Sequence, residues 1–188
     1  MKKIKINTIA NPETIIEINK KFNEINKIEQ KILNVFINLL IKKDKTGEWI
    51  YNAGAIWPQK VIDYELLTKA LIEKDKTGKW ICNAGVWWPD KANIDYELFT
   101  KLLTERDKTG EWIYNVGLNW PKRVNDYQLL SDTLIKADRT GEWIYYAGKY
   151  WPEEANIDYK LFTEKLIEKD KTGQWIQKAK KDWPEWSE

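Results

Sequence analysis

The sequence predicts an all-α fold, a right-handed αα-hairpin solenoid of 31- and 32-residue repeats with an N-terminal capping helix. Three markers predict it. The string Asp-(Lys/Arg)-Thr-Gly-x-Trp-Ile begins at Asp44, Asp75, Asp107, Asp138 and Asp170, in steps of 31, 32, 31 and 32 residues. A Trp-Pro pair follows at Trp57, Trp88, Trp120, Trp151 and Trp183, and an Asp-Tyr pair at Asp63, Asp95, Asp126 and Asp158. Self-similarity at a fixed period of this length marks a stack of identical supersecondary units, each too small to bury its own apolar face.

The first 43 residues read as capping helices. Asn11-Pro12-Glu13 is a helix start, and Ile15, Ile18, Phe22 and Ile25 keep the spacing of one helical face, suited to capping or to a self-association seam. Residues 34–43 align with the second helix of the units that follow. Residues 44–188 then hold four full hairpins and a C-terminal half-repeat.

Within a unit, Trp49, Ile50, Ala53 and Trp57 form the apolar stripe of a first helix, here called A. Pro58 has no N–H to donate and disfavours helical geometry at Trp57, so helix A should stop near Ile56. Asp63 suits an N-cap, and Leu66, Leu67, Ala70 and Leu71 form the stripe of helix B, which runs to Lys74. Asp75, Thr77 and Gly78 supply the next turn, with side-chain oxygens for free amides and a residue that tolerates left-handed backbone. Each repeated Trp is expected at a buried interface. The 32-residue units share an extra Ala-Asn (Ala92-Asn93, Ala155-Asn156) and carry Phe99 and Phe162 where the others have Leu67 and Leu130. In the fifth unit Gln177, Lys178 and Lys180 replace Tyr51, Asn52 and Gly54, the polar face expected where stacking ends.

Composition narrows the function. With 43% apolar and 13% aromatic residues, a chain of 188 can bury a substantial core. Most of its 12 Trp follow the period, so they read as architecture before ligand chemistry. Residues 1–43 carry +5 and residues 44–188 carry −3, with only three Arg against 28 Lys, a balance that disfavours nucleic acid. No apolar run reaches membrane-spanning length, and the first residues lack a signal-peptide core, so a cytoplasmic location is expected.

The absence of histidine removes the commonest general base and transition-metal ligand. Cys82, aligned with Tyr51, Tyr114, Tyr145 and Gln177, has no adjacent base and reads as a small packing residue. The Asp-Lys-Thr-Gly string is not a calcium loop: with Gly47 at the sixth place, Lys42 and Ala53 fall where carboxylates are required. No phosphate-binding glycine loop is present. A non-enzyme without metal or cofactor is expected.

An all-β alternative, in which Thr-Gly-x-Trp strings resemble the aromatic repeats of choline-binding proteins, fails on period and on the helical segment Asp-Tyr-Glu-Leu-Leu-Thr-Lys-Ala-Leu-Ile. Thr-Gly-x-Trp-Ile-Tyr-Asn-Ala-Gly, followed by Trp and then Asp-Tyr-Glu-Leu, resembles bacterial helical repeats of unknown function. Their pattern is Asn-Gly-x-Ala-Leu-x-Tyr-Ala-Ser, then Leu, then Asp and an apolar helix. The resemblance runs over residues 33–188, with Trp in place of Ala and an added Trp-Pro. It implies helices and carries over no functional residue.

A partner-specific surface belongs where the repeats differ. The pair before each Trp-Pro varies most, as Ala55-Ile56, Val86-Trp87, Leu118-Asn119, Lys149-Tyr150 and Lys181-Asp182, and the following turn varies too, as at Lys122-Arg123. Ile56, Trp87, Asn119, Arg123, Lys149 and Tyr150 are therefore the candidate protein-binding residues, Trp and Tyr being frequent interface anchors. The expected function is a protein-interaction scaffold, such as an inhibitor or effector that occludes a larger protein. A glycan- or small-ligand-binding module using exposed Trp and Tyr is the alternative, and a homo-oligomer assembled through residues 12–43 is the third.

Overall fold

The structure, a computed structural model, describes residues 28–29, 31–58 and 62–183. All regular structure among them is helical and none is strand, so the fold is all-α. None of these helices is long and apolar enough to cross a membrane. The chain divides into two compact units, Met1–Lys43 and Asp44–Glu188.

In the first unit, α1 covers residues 31–43. Ile37 is fully buried, whereas Ile28, Ile32, Val35, Phe36 and Leu39 are each more than half exposed. The stripe from Ile15 to Ile25 and the helix start at Asn11 lie outside the described residues.

The second unit alternates nine-residue and eleven-residue helices. The A-type helices are α2 (Glu48–Ile56), α4 (Lys79–Trp87), α6 (Glu111–Asn119), α8 (Glu142–Tyr150) and α10 (Gln174–Asp182). The B-type helices are α3 (Tyr64–Lys74), α5 (Tyr96–Arg106), α7 (Tyr127–Ala137) and α9 (Tyr159–Lys169).

The boundaries have local causes. Before α4, one carboxylate oxygen of Asp75 accepts the amides of Thr77 and Gly78, and the other accepts those of Trp80 and Ile81 at 2.8 and 2.9 Å. The residue bordering the helix is Gly78, at φ +87, so the cap is supplied by an Asp three residues upstream. The arrangement recurs at Asp107, Asp138 and Asp170, and all four of these Asp residues are buried. Both oxygens are thus saturated by main-chain donors, which is what a buried carboxylate requires. Each A-type helix stops at the Trp that precedes Pro, whose backbone is extended. Helix B is capped by Asp63, Asp95, Asp126 and Asp158, each accepting an amide three residues on. The additional residue of the longer units is absorbed by Asn93 and Asn156 in left-handed conformation, a region Asn tolerates well.

Each A-type helix packs on the next A-type helix and on its own B-type helix, and each B-type helix packs on the A-type helix that follows. Ile50, Leu67, Leu71, Ile81, Phe99 and Leu103 represent the core between these layers. Adjacent units are keyed by the second Trp. The indole N–H groups of Trp88, Trp120, Trp151 and Trp183 donate to the carbonyls of Tyr51, Cys82, Tyr114 and Tyr145 in the preceding A-type helix. Each of these rings fills the space left by Gly54, Gly85, Gly117 or Gly148. The Tyr of each Asp-Tyr pair donates its hydroxyl to the carbonyl of the same glycine.

The expectation that every repeated Trp is buried is corrected. Trp of the Trp-Pro pairs from Trp88 onward are buried, but Trp49 is 54% exposed and Trp80, Trp112, Trp143 and Trp175 are half-buried. Three of them lie against a Tyr of the preceding A-type helix: Trp80, Trp143 and Trp175 meet the rings of Tyr51, Tyr114 and Tyr145 at 5.3 to 5.5 Å, contacts that leave part of each indole in solvent.

Candidate binding surface

The last two residues of α2, α4, α6 and α8 hold a row of exposed apolar side chains, the final residue in α2, α4 and α8 and the one before it in α6. Ile56 is 75% exposed, Trp87 66%, Leu118 41% and Tyr150 48%. Ala53, Ala84, Val116 and Ala147, two or three residues earlier, are fully or almost fully buried. The helix that makes the core therefore also aims its final residue outward.

The sequence-predicted residues fall as follows. Ile56, Trp87, Asn119 and Tyr150 occupy the last position of successive A-type helices, all exposed. Asn119 donates its side-chain amide to the Asn115 carbonyl, so Leu118 is the apolar member of its helix in this row. Arg123 is exposed on the 3-10 turn Lys122–Val124. Lys149 is engaged: its ammonium donates to Asp182 at 2.7 Å and to the Tyr145 hydroxyl at 3.3 Å, and it lies over the rings of Tyr145 and Tyr150.

This last cluster carries shifted titrations. Asp182, through its hydrogen bond with Lys149, raises the Lys149 pKa, and the same contact holds the Asp182 carboxyl below its ordinary range. Burial, then the hydrogen bond to Asp182, raises the Tyr145 phenol. Around it, Tyr146 joins Tyr114, Trp143, Tyr145, Tyr150 and Trp175 into one aromatic cluster with centroid distances of 5.1 to 6.0 Å. Sequence reasoning missed that cluster, although the signal was present: Tyr146 stands where Asn52, Asn83 and Asn115 occur in the other units.

Successive B-type helices leave grooves between them. One of about 830 Å³ runs between α5 and α7, lined by Leu98, Lys101, Val124 and Leu129. Another of about 600 Å³ lies between α3 and α5, with Ile72, Lys91 and Leu98 in its walls. Cys82 is buried, and burial raises its thiol pKa well above the ordinary value.

Comparison with family models, curated proteins and solved structures finds no match to this chain.

Proposed function

We propose that residues 44–183 form a right-handed αα-hairpin solenoid whose function is non-enzymatic, holding a protein partner along the edge built by the ends of the A-type helices. The observation that carries this reading is the row Ile56, Trp87, Leu118 and Tyr150, one large exposed apolar side chain from each of four consecutive units. Stacking fixes the core positions and leaves the last two positions of each A-type helix free to vary, which suits recognition. Exposed aromatic and aliphatic anchors set in a rigid frame are the usual hot-spot material of protein interfaces. An inhibitor or effector that occludes a larger protein is the form such a scaffold would take.

The test places a photo-crosslinking amino acid at Ile56 and, in a separate variant, at Lys101 in the groove between α5 and α7. Protein adducts from the Ile56 site alone support the reading. Adducts from Lys101 alone move the interface to the B-type helices and overturn it.

A second reading is favoured by α1. Ile28 ahead of it and its own Ile32, Val35 and Leu39, all exposed, have 4-3-4 spacing, the pattern of a helix–helix seam, and suit self-association through residues 12–43. Light scattering that gives more than one chain mass, reduced to one by Ile32→Glu, would establish it.

A further inference from the structure

We infer that α2 carries an unmated joint of the array, separate from the row, which takes a helical hairpin of a partner protein with a glycine notch in its first helix. The joint is defined by what its counterparts do. Trp80 of α4 stacks on Tyr51, and Trp88 at the end of α4 enters the Gly54 notch, so both indoles seat on the A-type helix before their own. Trp49 and Trp57 hold the same two places in the unit of α2. Trp49 is more than half exposed and Trp57 is half-buried, whereas Trp88, Trp120, Trp151 and Trp183 are all buried. Among the described residues the Trp57 indole N–H has no acceptor, while each of those four donates to a carbonyl.

The four internal joints specify the occupant. Each key Trp lies against a glycine whose Cβ would come within 2.3 to 2.6 Å of the ring, so any other residue closes the notch. Its N–H donates to the carbonyl three residues before that glycine. Its ring also meets the Tyr that opens the B-type helix of the same preceding unit, at centroid distances of 5.1 to 5.8 Å. A hairpin with a mid-helix glycine and a Tyr at the start of its second helix reproduces all three contacts.

This chain does not supply that hairpin. The 46 residues before Gly47 contain no glycine. Gly54, Gly85, Gly117 and Gly148 are each filled by the Trp of the following unit. A second copy therefore offers only α10, where Lys180 stands at the notch place with Gln177 and Lys178 beside it. Lys180 is exposed, and seating an indole over it strips water from an ammonium group. The array is closed to this joint at α10 and open to it at α2, and the open side is left to another protein.

The probe is the full chain with a notch built into α10 by Gln177→Tyr, Lys178→Asn and Lys180→Gly, and with its own key removed by Trp57→Ala. Fluorescence anisotropy of labelled native chain should rise with this probe and saturate at one to one. Keeping Lys180 in the probe should weaken binding at least about tenfold, and so should Trp57→Ala in the native chain, since each removes one half of an anchor-sized contact. A probe that melts like the native chain yet does not bind overturns the inference. Binding that survives Trp57→Ala in the native chain overturns it too and moves the contact off this joint. If the probe with four substitutions melts early, the pair Trp57→Ala and Lys180→Gly repeats the test with the smallest change that opens the notch, and failure of that pair to bind counts equally against it.

Discussion

Trp88 occupies the space where Gly54 would carry a side chain: a Cβ built on Gly54 would lie 2.3 Å from the indole, whose N–H meanwhile donates to the Tyr51 carbonyl at 2.9 Å. The same knob and notch join Trp120 to Gly85, Trp151 to Gly117 and Trp183 to Gly148. Mid-helix glycine normally weakens a helix, so its presence in four A-type helices has a packing reason.

Gly117→Ala should therefore destabilise, although alanine is the better helix former. The added methyl would sit 2.4 Å from the Trp151 ring, and overpacking of this kind costs about 1–3 kcal/mol, more than the propensity gain of about 1 kcal/mol. At the equivalent place in α10, Lys180 is exposed, and Lys180→Ala should change stability by less than about 0.5 kcal/mol. Urea unfolding of the two variants decides it. Equal small effects would show that the notch does not set the spacing of units.

The two classes of Trp should separate in the same assay. Trp120 is 2% exposed and hydrogen-bonded to Cys82, so Trp120→Ala should cost about 3–5 kcal/mol. Trp112 is half-buried, with Lys79 rather than a Tyr ring near its face, and Trp112→Ala should cost about 1–2 kcal/mol. A larger loss at Trp112 than at Trp120 would reverse the assignment.

That contrast shows what could be read from the residues alone. Helix ends were legible because Pro58, Asp63 and the Asp-Lys-Thr-Gly string each act on backbone within a few positions. The row was legible because the repeats differ at Ile56, Trp87 and Tyr150, and the structure exposes all three. Periodicity marked Trp49 and Trp57 as one apolar stripe, yet it carries no information on which side of that stripe the next helix lies. The engagement of Lys149 by Asp182 joins residues 33 apart in sequence, and only packing of α8 on α10 brings them together.

The Asp170 cap should contribute to acid sensitivity. Burial raises the pKa of Asp170, but the amides of Ile176, Thr172 and Trp175 and the Thr172 hydroxyl outweigh it and hold the carboxyl below its ordinary value. A depressed folded-state pKa adds stability that is complete above the unfolded value near 3.9 and disappears as pH falls through the folded value. Asp170→Asn should thus be less stable than the native chain at neutral pH, and the difference should shrink in acid as the native carboxylate is protonated. Denaturation at a series of pH values would show it; a difference independent of pH would mean that charge contributes nothing to the cap.

Replacing Trp87 and Tyr150 together by Ser should weaken capture of the partner while leaving unfolding nearly unchanged. Trp87 is two-thirds exposed, and Tyr150 keeps about half of its surface in solvent with one stacking neighbour, Tyr146 at 6.0 Å. Neither fills a notch, so the cost to stability should stay within about 1 kcal/mol, in the range of surface substitutions and one lost ring contact. Anchors of this type each contribute about 2 kcal/mol or more to binding when central to an interface, so the pair should lower affinity at least a hundredfold. Loss of several kcal/mol of stability would make both residues core and remove the row as a recognition surface. Full stability with undiminished binding would transfer the partner to another surface, and the groove containing Leu98, Lys101 and Leu129 is the one to mutate next.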